Sequence, residues 1–299
     1  MNSNKLIRLV LSPNENSFIS ELENGAVYHG SMDNSQLLPL PAAGDSPVIH
    51  IAFSHDGSLL TVSTKSGKVT VWDVKSALVL CAFKHQCAVH QCEPISKDSY
   101  ITVDEWRCGL LWKKGPQGFS AVPISHQIDA CAALPEHNEI VYHDNFNLAV
   151  WSMEKEQEIR AYGVMDSWYL DQLSGELKLS KNGRYFFIYW DEGMVFDTET
   201  GKLAYKFPAS YYPPSSINVS DSGRRTAVGT YEGTFAVMEK GRGVLLEKEF
   251  DGEVIFSDMT PDGRLVSCLD ENGAGGIYDP DTGKVLLDSG QIYENLKHL

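Results

Sequence analysis

The chain has 299 residues, 42% of them hydrophobic and 22% charged, an ordinary globular composition that can bury a substantial core. Forty acidic against 25 basic residues give a formal charge of −15, which disfavours nucleic acid, since binding it rests on Lys and Arg neutralising phosphates. No segment approaches the roughly 20 apolar residues of a membrane span, and Met1 to Arg8 lacks the apolar run of a signal peptide, so no membrane partner is expected.

Taken in chain order, the elements repeat. A strand from Lys5 to Leu11 leads into the polar turn Pro13-Asn14-Glu15-Asn16, and a later short apolar strand closes on Tyr28-His29. The next unit runs Ile49 to Phe53, turns at His55-Asp56-Gly57, continues from Leu59 to Thr64, reaches Trp72-Asp73 and adds a fourth strand, Leu78 to Phe83. The pattern returns at Ser96-Lys97-Asp98 with Trp112-Lys113, and at Glu136-His137-Asn138 with Trp151-Ser152. It continues at Lys181-Asn182-Gly183, then Tyr185 to Trp190, with Phe196-Asp197. The last two are Asp221-Ser222-Gly223 with Met238-Glu239, and Pro261-Asp262-Gly263 with Tyr278-Asp279 and a fourth strand near Lys284 to Asp288. Asp-Gly and Asn-Gly accept the positive φ of tight hairpins, so each turn joins antiparallel strands.

Seven turns at a spacing of roughly 40 residues imply seven units of four strands, with no helical pattern. One such sheet cannot bury both faces, whereas stacked sheets can, so the expected fold is an all-β, seven-bladed β-propeller. A single propeller is expected over 1–299, with blades near 1–45, 46–85, 86–124, 125–163, 164–207, 208–250 and 251–290 and a short tail at 291–299. The strand Lys5 to Leu11 enters the first turn directly and the last unit carries its own fourth strand, so the ring is expected to close without strand exchange. The tryptophans at 72, 112 and 151 read as core.

Trp72-Asp73, and the run Lys84-His85, Val89, Cys92, Ser96 and Asp98, resemble the WD-repeat family. The resemblance implies that His85 hydrogen-bonds within its blade and that Cys92 faces the core. It also implies that the loops between second and third strands share one face, the top, with the links between blades. Those loops carry Glu21, Glu23, Asp104, Glu105, Asp144, Asp191, Glu192, Glu232, Asp270 and Glu271, with Trp106, Trp190 and Tyr231 interleaved. Only the second unit, with Lys65 and Lys68, lacks a carboxylate there. The links add Trp168, Tyr169, Tyr211 and Tyr212, and the link from Gly163 to Gly175 is longer than its equivalents, with Asp166 and Asp171 beside the aromatics. The opposite face, with Lys75, Lys113, Lys114, Arg224, Arg225, Lys240 and Arg242, is mixed or basic.

An acidic, aromatic-lined face attracts Lys and Arg through its field and through cation–π contact. The expected function is therefore a non-catalytic scaffold that recruits a basic protein or a Lys/Arg-rich peptide. The alternatives are a merely solubilising surface and a propeller hydrolase or lyase with a site in the central channel. The partner-binding candidates are Asp104, Glu105, Trp106, Asp144, Trp168, Tyr169, Trp190, Asp191, Glu192, Tyr231, Glu232, Asp270 and Glu271.

No catalytic residue is selected: no G-x-S-x-G elbow, Walker loop or H-E-x-x-H occurs, and Ser54-His55-Asp56 is adjacency in a turn. His85, Cys87, His90 and Cys92 are metal-ligand types without a strong zinc spacing, and the Asp197 and Asp279 turns lack the later Glu of a calcium loop, so neither metal nor cofactor is expected. The six cysteines lie mostly in strands, as reduced buried thiols of a cytoplasmic protein do.

Overall fold

A computed structural model describes residues 5–33, 36–40, 46–125, 127–134, 137–144, 147–163, 177–189, 192–207, 210–211 and 213–297. Among them it forms seven four-stranded antiparallel sheets, each built from four strands consecutive in sequence. The chain divides into two compact units, one of Met1–Pro41, Gln172–Ser180 and Arg184–Leu299, the other of Ala42–Asp171 and Lys181–Gly183.

The first unit holds four sheets. Sheet 1 is β1 (Leu6–Leu11), β2 (Ser17–Leu22), β3 (Val27–Ser31) and β4 (Leu37–Pro39). In the second unit, sheet 2 is β5 (Val48–Phe53), β6 (Leu59–Thr64), β7 (Lys68–Asp73) and β8 (Leu78–Lys84). Sheet 3 is β9 (Val89–Ser96), β10 (Ser99–Asp104), β11 (Gly109–Gly115) and β12 (Gly118–Ser125). Sheet 4 is β13 (Ile128–Leu134), β14 (Glu139–Asp144), β15 (Asn147–Ser152) and β16 (Gln157–Gly163). The first unit resumes with sheet 5, β17 (Leu177–Leu179), β18 (Tyr185–Tyr189), β19 (Gly193–Asp197) and β20 (Lys202–Phe207). Sheet 6 is β21 (Pro214–Val219), β22 (Arg225–Thr230), β23 (Thr234–Glu239) and β24 (Gly243–Glu249). Sheet 7 is β25 (Val254–Met259), β26 (Val266–Asp270), β27 (Gly275–Asp279) and β28 (Lys284–Asp288).

Burial follows strand position. The second strands β6 and β26 are buried along their whole length, and their sequences, LLTVST and VSCLD, carry little charge. The fourth strands are edges, and β20, β24 and β28 each keep one buried residue and expose charged residues together with Leu203, Val244 and Val285. The anticipated turns are present. Gly57 (φ 70°) and Gly263 (φ 75°) take the positive φ directly, and Glu15 (61°) and Asn138 (54°) adopt it without being glycine.

Sheets are sewn together at their first strands. In the second unit the Cys92 amide donates to His50 Nδ1 (3.3 Å), and one sheet further on the Cys131 amide donates to Gln91 Oε1 (3.2 Å). The register places His50 and Gln91 at equivalent positions, each opposite the bulge of its first strand. In the first unit sheet 7 meets sheet 1, the two chain ends, with no strand exchanged. Asp258 Oδ2 accepts from the Leu11 amide (2.8 Å), and Ser267 Oγ donates to the Leu9 carbonyl (2.6 Å). Both groups are buried, so Asp258→Ala should lower stability by about 1–3 kcal/mol, whereas Asn, which keeps an acceptor, should recover most of it. Urea denaturation measures this, and an Ala variant with an unchanged midpoint would show that the clasp contributes nothing.

The structure departs from the all-strand expectation at the tail. Residues Ser289–Leu296 form a helix, α1, started by a capping box in which the Gln291 amide donates to Asp288 and the Asp288 amide donates to Gln291. Its one fully buried residue, Ile292, joins Leu6, Leu9, Leu269 and Leu287 in the core between sheets 7 and 1, and the Leu6 amide donates to Tyr293 Oη (2.6 Å). Eight residues with one buried anchor carry too weak a periodicity to be read as a helix from sequence.

Candidate functional site

Five of the loops between second and third strands share one backbone plan. The first tip residue donates its amide to the link before its own sheet, and the residue two further on donates back to the end of the second strand. In the second unit these bonds are Glu105 to Ala88 O (2.9 Å) and Arg107 to Asp104 O (2.8 Å). In the first unit they are Tyr231 to Pro213 O and Gly233 to Thr230 O, then Glu271 to Glu253 O and Gly273 to Asp270 O. Each closure pushes out a two-residue tip: Glu23-Asn24, Lys65-Ser66, Glu105-Trp106, Tyr231-Glu232 and Glu271-Asn272.

This plan separates the candidates. Asp104 and Asp270 end their strands and are buried. Asp104 Oδ1 accepts from the amides of Trp106 (3.0 Å) and Cys108 (2.9 Å), and Asp270 Oδ1 from those of Asn272 (2.9 Å) and Ala274 (2.7 Å). These two carboxylates shape the tips from inside. Glu21 is buried as well, and burial raises its pKa even though Arg8 pairs with it. The tip residues Glu105, Glu232 and Glu271 are exposed, and so are the rings of Trp106 (62%) and Tyr231 (55%). Asp144 is half-buried at the end of β14, and Glu192 lies 2.6 Å from Lys206 Nζ. Trp168, Tyr169, Trp190, Asp191 and Tyr212 lie outside the described residues, as does most of the Gly163 to Gly175 link. Tyr211 is core, its hydroxyl donating to Glu247.

Sheets 6 and 7 of the first unit bring four carboxylates together. The Phe250 amide donates to Gly233 O (3.0 Å) and the Glu271 amide to Glu253 O (2.7 Å), which holds the 250–253 link against both tips. Glu232, Asp251, Glu253 and Glu271 thus share one region, and none of the four forms an ion pair among the described residues. Asp251 and Glu253 are not among the sequence candidates, which take only aromatic residues from the links. Lys5, close by, is engaged by Glu23 (3.4 Å) and the Glu271 carbonyl (3.1 Å).

Several of the basic residues at the other ends of the strands are paired. Arg225 and Arg242 both contact Glu239 and Asp281, Lys113 contacts Glu156 (2.7 Å), and Lys240 lies over the Tyr205 ring. The hairpin aspartates are occupied by their own turns: Asp197 Oδ1 accepts from Glu199 and Thr200 amides, Asp279 Oδ1 from those of Asp281 and Thr282.

Among the described residues no group of three or more His, Cys, Asp or Glu side chains is arranged to hold a metal ion. Burial, reinforced by Asp104, pushes the Cys87 thiol up to about 11, and burial raises the Cys92 thiol further still, so neither is a ready thiolate. Cys92 lies in the core of sheets 2 and 3. His85 differs from the hydrogen-bonded histidine that the resemblance implied. Its ring is buried edge-on to Trp112 (5.2 Å between centroids), Nε2 has no partner, and burial lowers its pKa. No helix among the described residues is long and apolar enough to cross a membrane.

No family model matches this chain, and no curated protein matches its sequence. Solved structures do resemble it. The β-propeller domain of Myceliophteria thermophila Cps50 (Swd1) superposes with a TM-score of 0.75 at 14% identity, covering 93% of this chain and 98% of that one. A chain of the mitotic checkpoint complex superposes at 0.70 with 15% identity, covering 93% and 90%. With seven four-stranded sheets in sequence order and these superpositions over nearly its whole length, the chain has the fold of a seven-bladed β-propeller.

Proposed function

We propose that this propeller is a non-catalytic interaction module whose acidic tips recruit a basic protein segment. The observation that carries the reading is the unpaired carboxylate group of sheets 6 and 7, Glu232, Asp251, Glu253 and Glu271, beside the exposed Tyr231 ring. Glu105 with the exposed Trp106 offers the same chemistry in the second unit. Arginines on the strand ends are matched by carboxylates, whereas these four carboxylates have no ion-pair partner among the described residues. A propeller of this fold sits in a mitotic checkpoint complex, which supports a role within an assembly.

A Lys or Arg over an exposed ring contributes about 0.5–2 kcal/mol, and micromolar affinity needs about −8 kcal/mol. Several cations must therefore engage together, and a run of them in one segment does this best. Fluorescence anisotropy with an Arg/Lys-alternating peptide tests it. Binding is expected, weakening steeply as salt is raised from about 0.05 to 0.5 M, because exposed charges are screened beyond about 10 Å at 0.1 M. Absence of binding at low salt, or binding indifferent to salt, would return the tips to a solubilising role.

A further inference from the structure

We infer that the outer edge of sheet 2 is a second docking surface, one that takes an extended apolar segment flanked by acidic residues from a partner protein. The observation is the chemistry of β8. In the other fourth strands no more than five consecutive residues lack a charge or a proline: the interruptions are Pro39 in β4, Pro123 in β12, Glu158 and Arg160 in β16, Lys202 and Lys206 in β20, Glu247 to Glu249 in β24, and Lys284 and Asp288 in β28. Such residues guard edges against added strands. In β8 the six residues Leu78 to Phe83 carry neither, and Leu78 (64% exposed), Val79 (50%) and Leu80 (45%) face solvent in succession. Isolated exposed apolar residues are ordinary, but a run of them on an edge whose one charge, Lys84, stands at its end favours an interaction site.

The strand is also held ready. Phe83, on its buried side, stacks on Trp112 of sheet 3 at 4.6 Å and meets Tyr100 and Phe119. The register irregularity at Leu80 recurs in the fourth strands of sheets 4 to 7, so it does not set β8 apart, and from Cys81 to Lys84 the pairing with β7 is regular.

Charge selects the occupant. Within a chain of net charge −15, residues 46–85 hold four lysines and two aspartates. Lys84 ends β8 opposite Lys68, and Lys75 precedes its start; Lys68 and Lys84 form no ion pair among the described residues. An apolar edge with cations at both ends fits an apolar core with acidic flanks. A second copy fits poorly, because antiparallel pairing of β8 with itself sets Lys75 of one copy near Lys84 of the other, on top of the repulsion between two acidic chains.

The test uses the full chain and a synthetic peptide of alternating valine and threonine with two aspartates at each end, against the same core flanked by lysines. Hydrogen exchange should show amide protection on Leu78–Lys84 with the acidic peptide, and its affinity should exceed that of the lysine peptide at this edge by about tenfold or more. Lys75→Glu with Lys84→Glu should erase that preference. Leu78→Asp with Leu80→Asp, both at exposed positions, should weaken binding about tenfold with the far-ultraviolet circular dichroism unchanged. Reversing Glu232 and Glu271 should leave it intact, which separates this surface from the acidic tips. Equal affinity of the two peptides at this edge, no binding, or protection by the acidic peptide located elsewhere would overturn the proposal. So would sedimentation velocity showing a dimer that Leu80→Asp dissolves, since the occupant would then be a second copy.

Discussion

Replacing Trp72 by Ala should cost about 3–5 kcal/mol, the range for deleting a large buried aromatic side chain, and so remove a large share of the stability of an average domain. The side chain is 1% exposed, near the end of β7, between Leu60 of β6 and Val79 of β8. Trp72→Phe should be far milder, because the indole Nε1 is buried without a hydrogen-bond partner and so no bond is lost with it. Equivalent positions in sheets 5, 6 and 7 hold Phe196, Met238 and Tyr278, which says that bulk is what the site requires. Trp106→Ala is the contrast: at 62% exposure on a tip it should change stability by less than about 0.5 kcal/mol. Thermal and urea unfolding of the three variants decide this. A stable Trp72→Ala would mean that the third-strand residues do not hold the sheets together.

Those two tryptophans show what the sequence makes legible. The period of turns and third-strand aromatics is a chain-long signal, because each sheet must present the same bulk to its neighbour, and the fold follows from it. Trp72 and Trp106 differ only in their place in that period. Asp104 and Glu105 are a harder case. Both are carboxylates in one loop, yet one accepts two backbone amides from inside and the other points outward. The assignment depends on which residue ends the second strand, and boundaries within one residue are what patterns define least well. Asp251 and Glu253 were missed for a different reason: they reach the tips through the backbone bonds of a link, a tertiary contact with no local signature. A further repeat was visible but unread. Ser54, Ser180, Ser220 and Thr260 each accept, at the end of a first strand, the amide of the residue five further on, closing the hairpin with a side chain.

The combined reversal Glu232→Lys and Glu271→Lys should have the largest effect on recruitment of a basic segment. Both positions are exposed and unpaired among the described residues, so the fold should persist with an unchanged unfolding midpoint. The local charge moves by four units, from net negative to neutral, because Asp251 and Glu253 alone remain negative. Steering by such fields is worth about 10- to 10³-fold in association rate, so the loss should fall mainly on that rate and shrink as salt is raised. Stopped-flow association of the Arg/Lys peptide, at low salt and at about 0.5 M, separates this from a loss of contacts, which would instead speed dissociation at both salts. Tyr231→Ala supplies that second pattern, because it removes the ring beneath a cation and leaves the field in place. If the double reversal left the association rate and its salt dependence unchanged, the negative tips would have no part in recruitment, and the exposed rings alone would have to account for any binding.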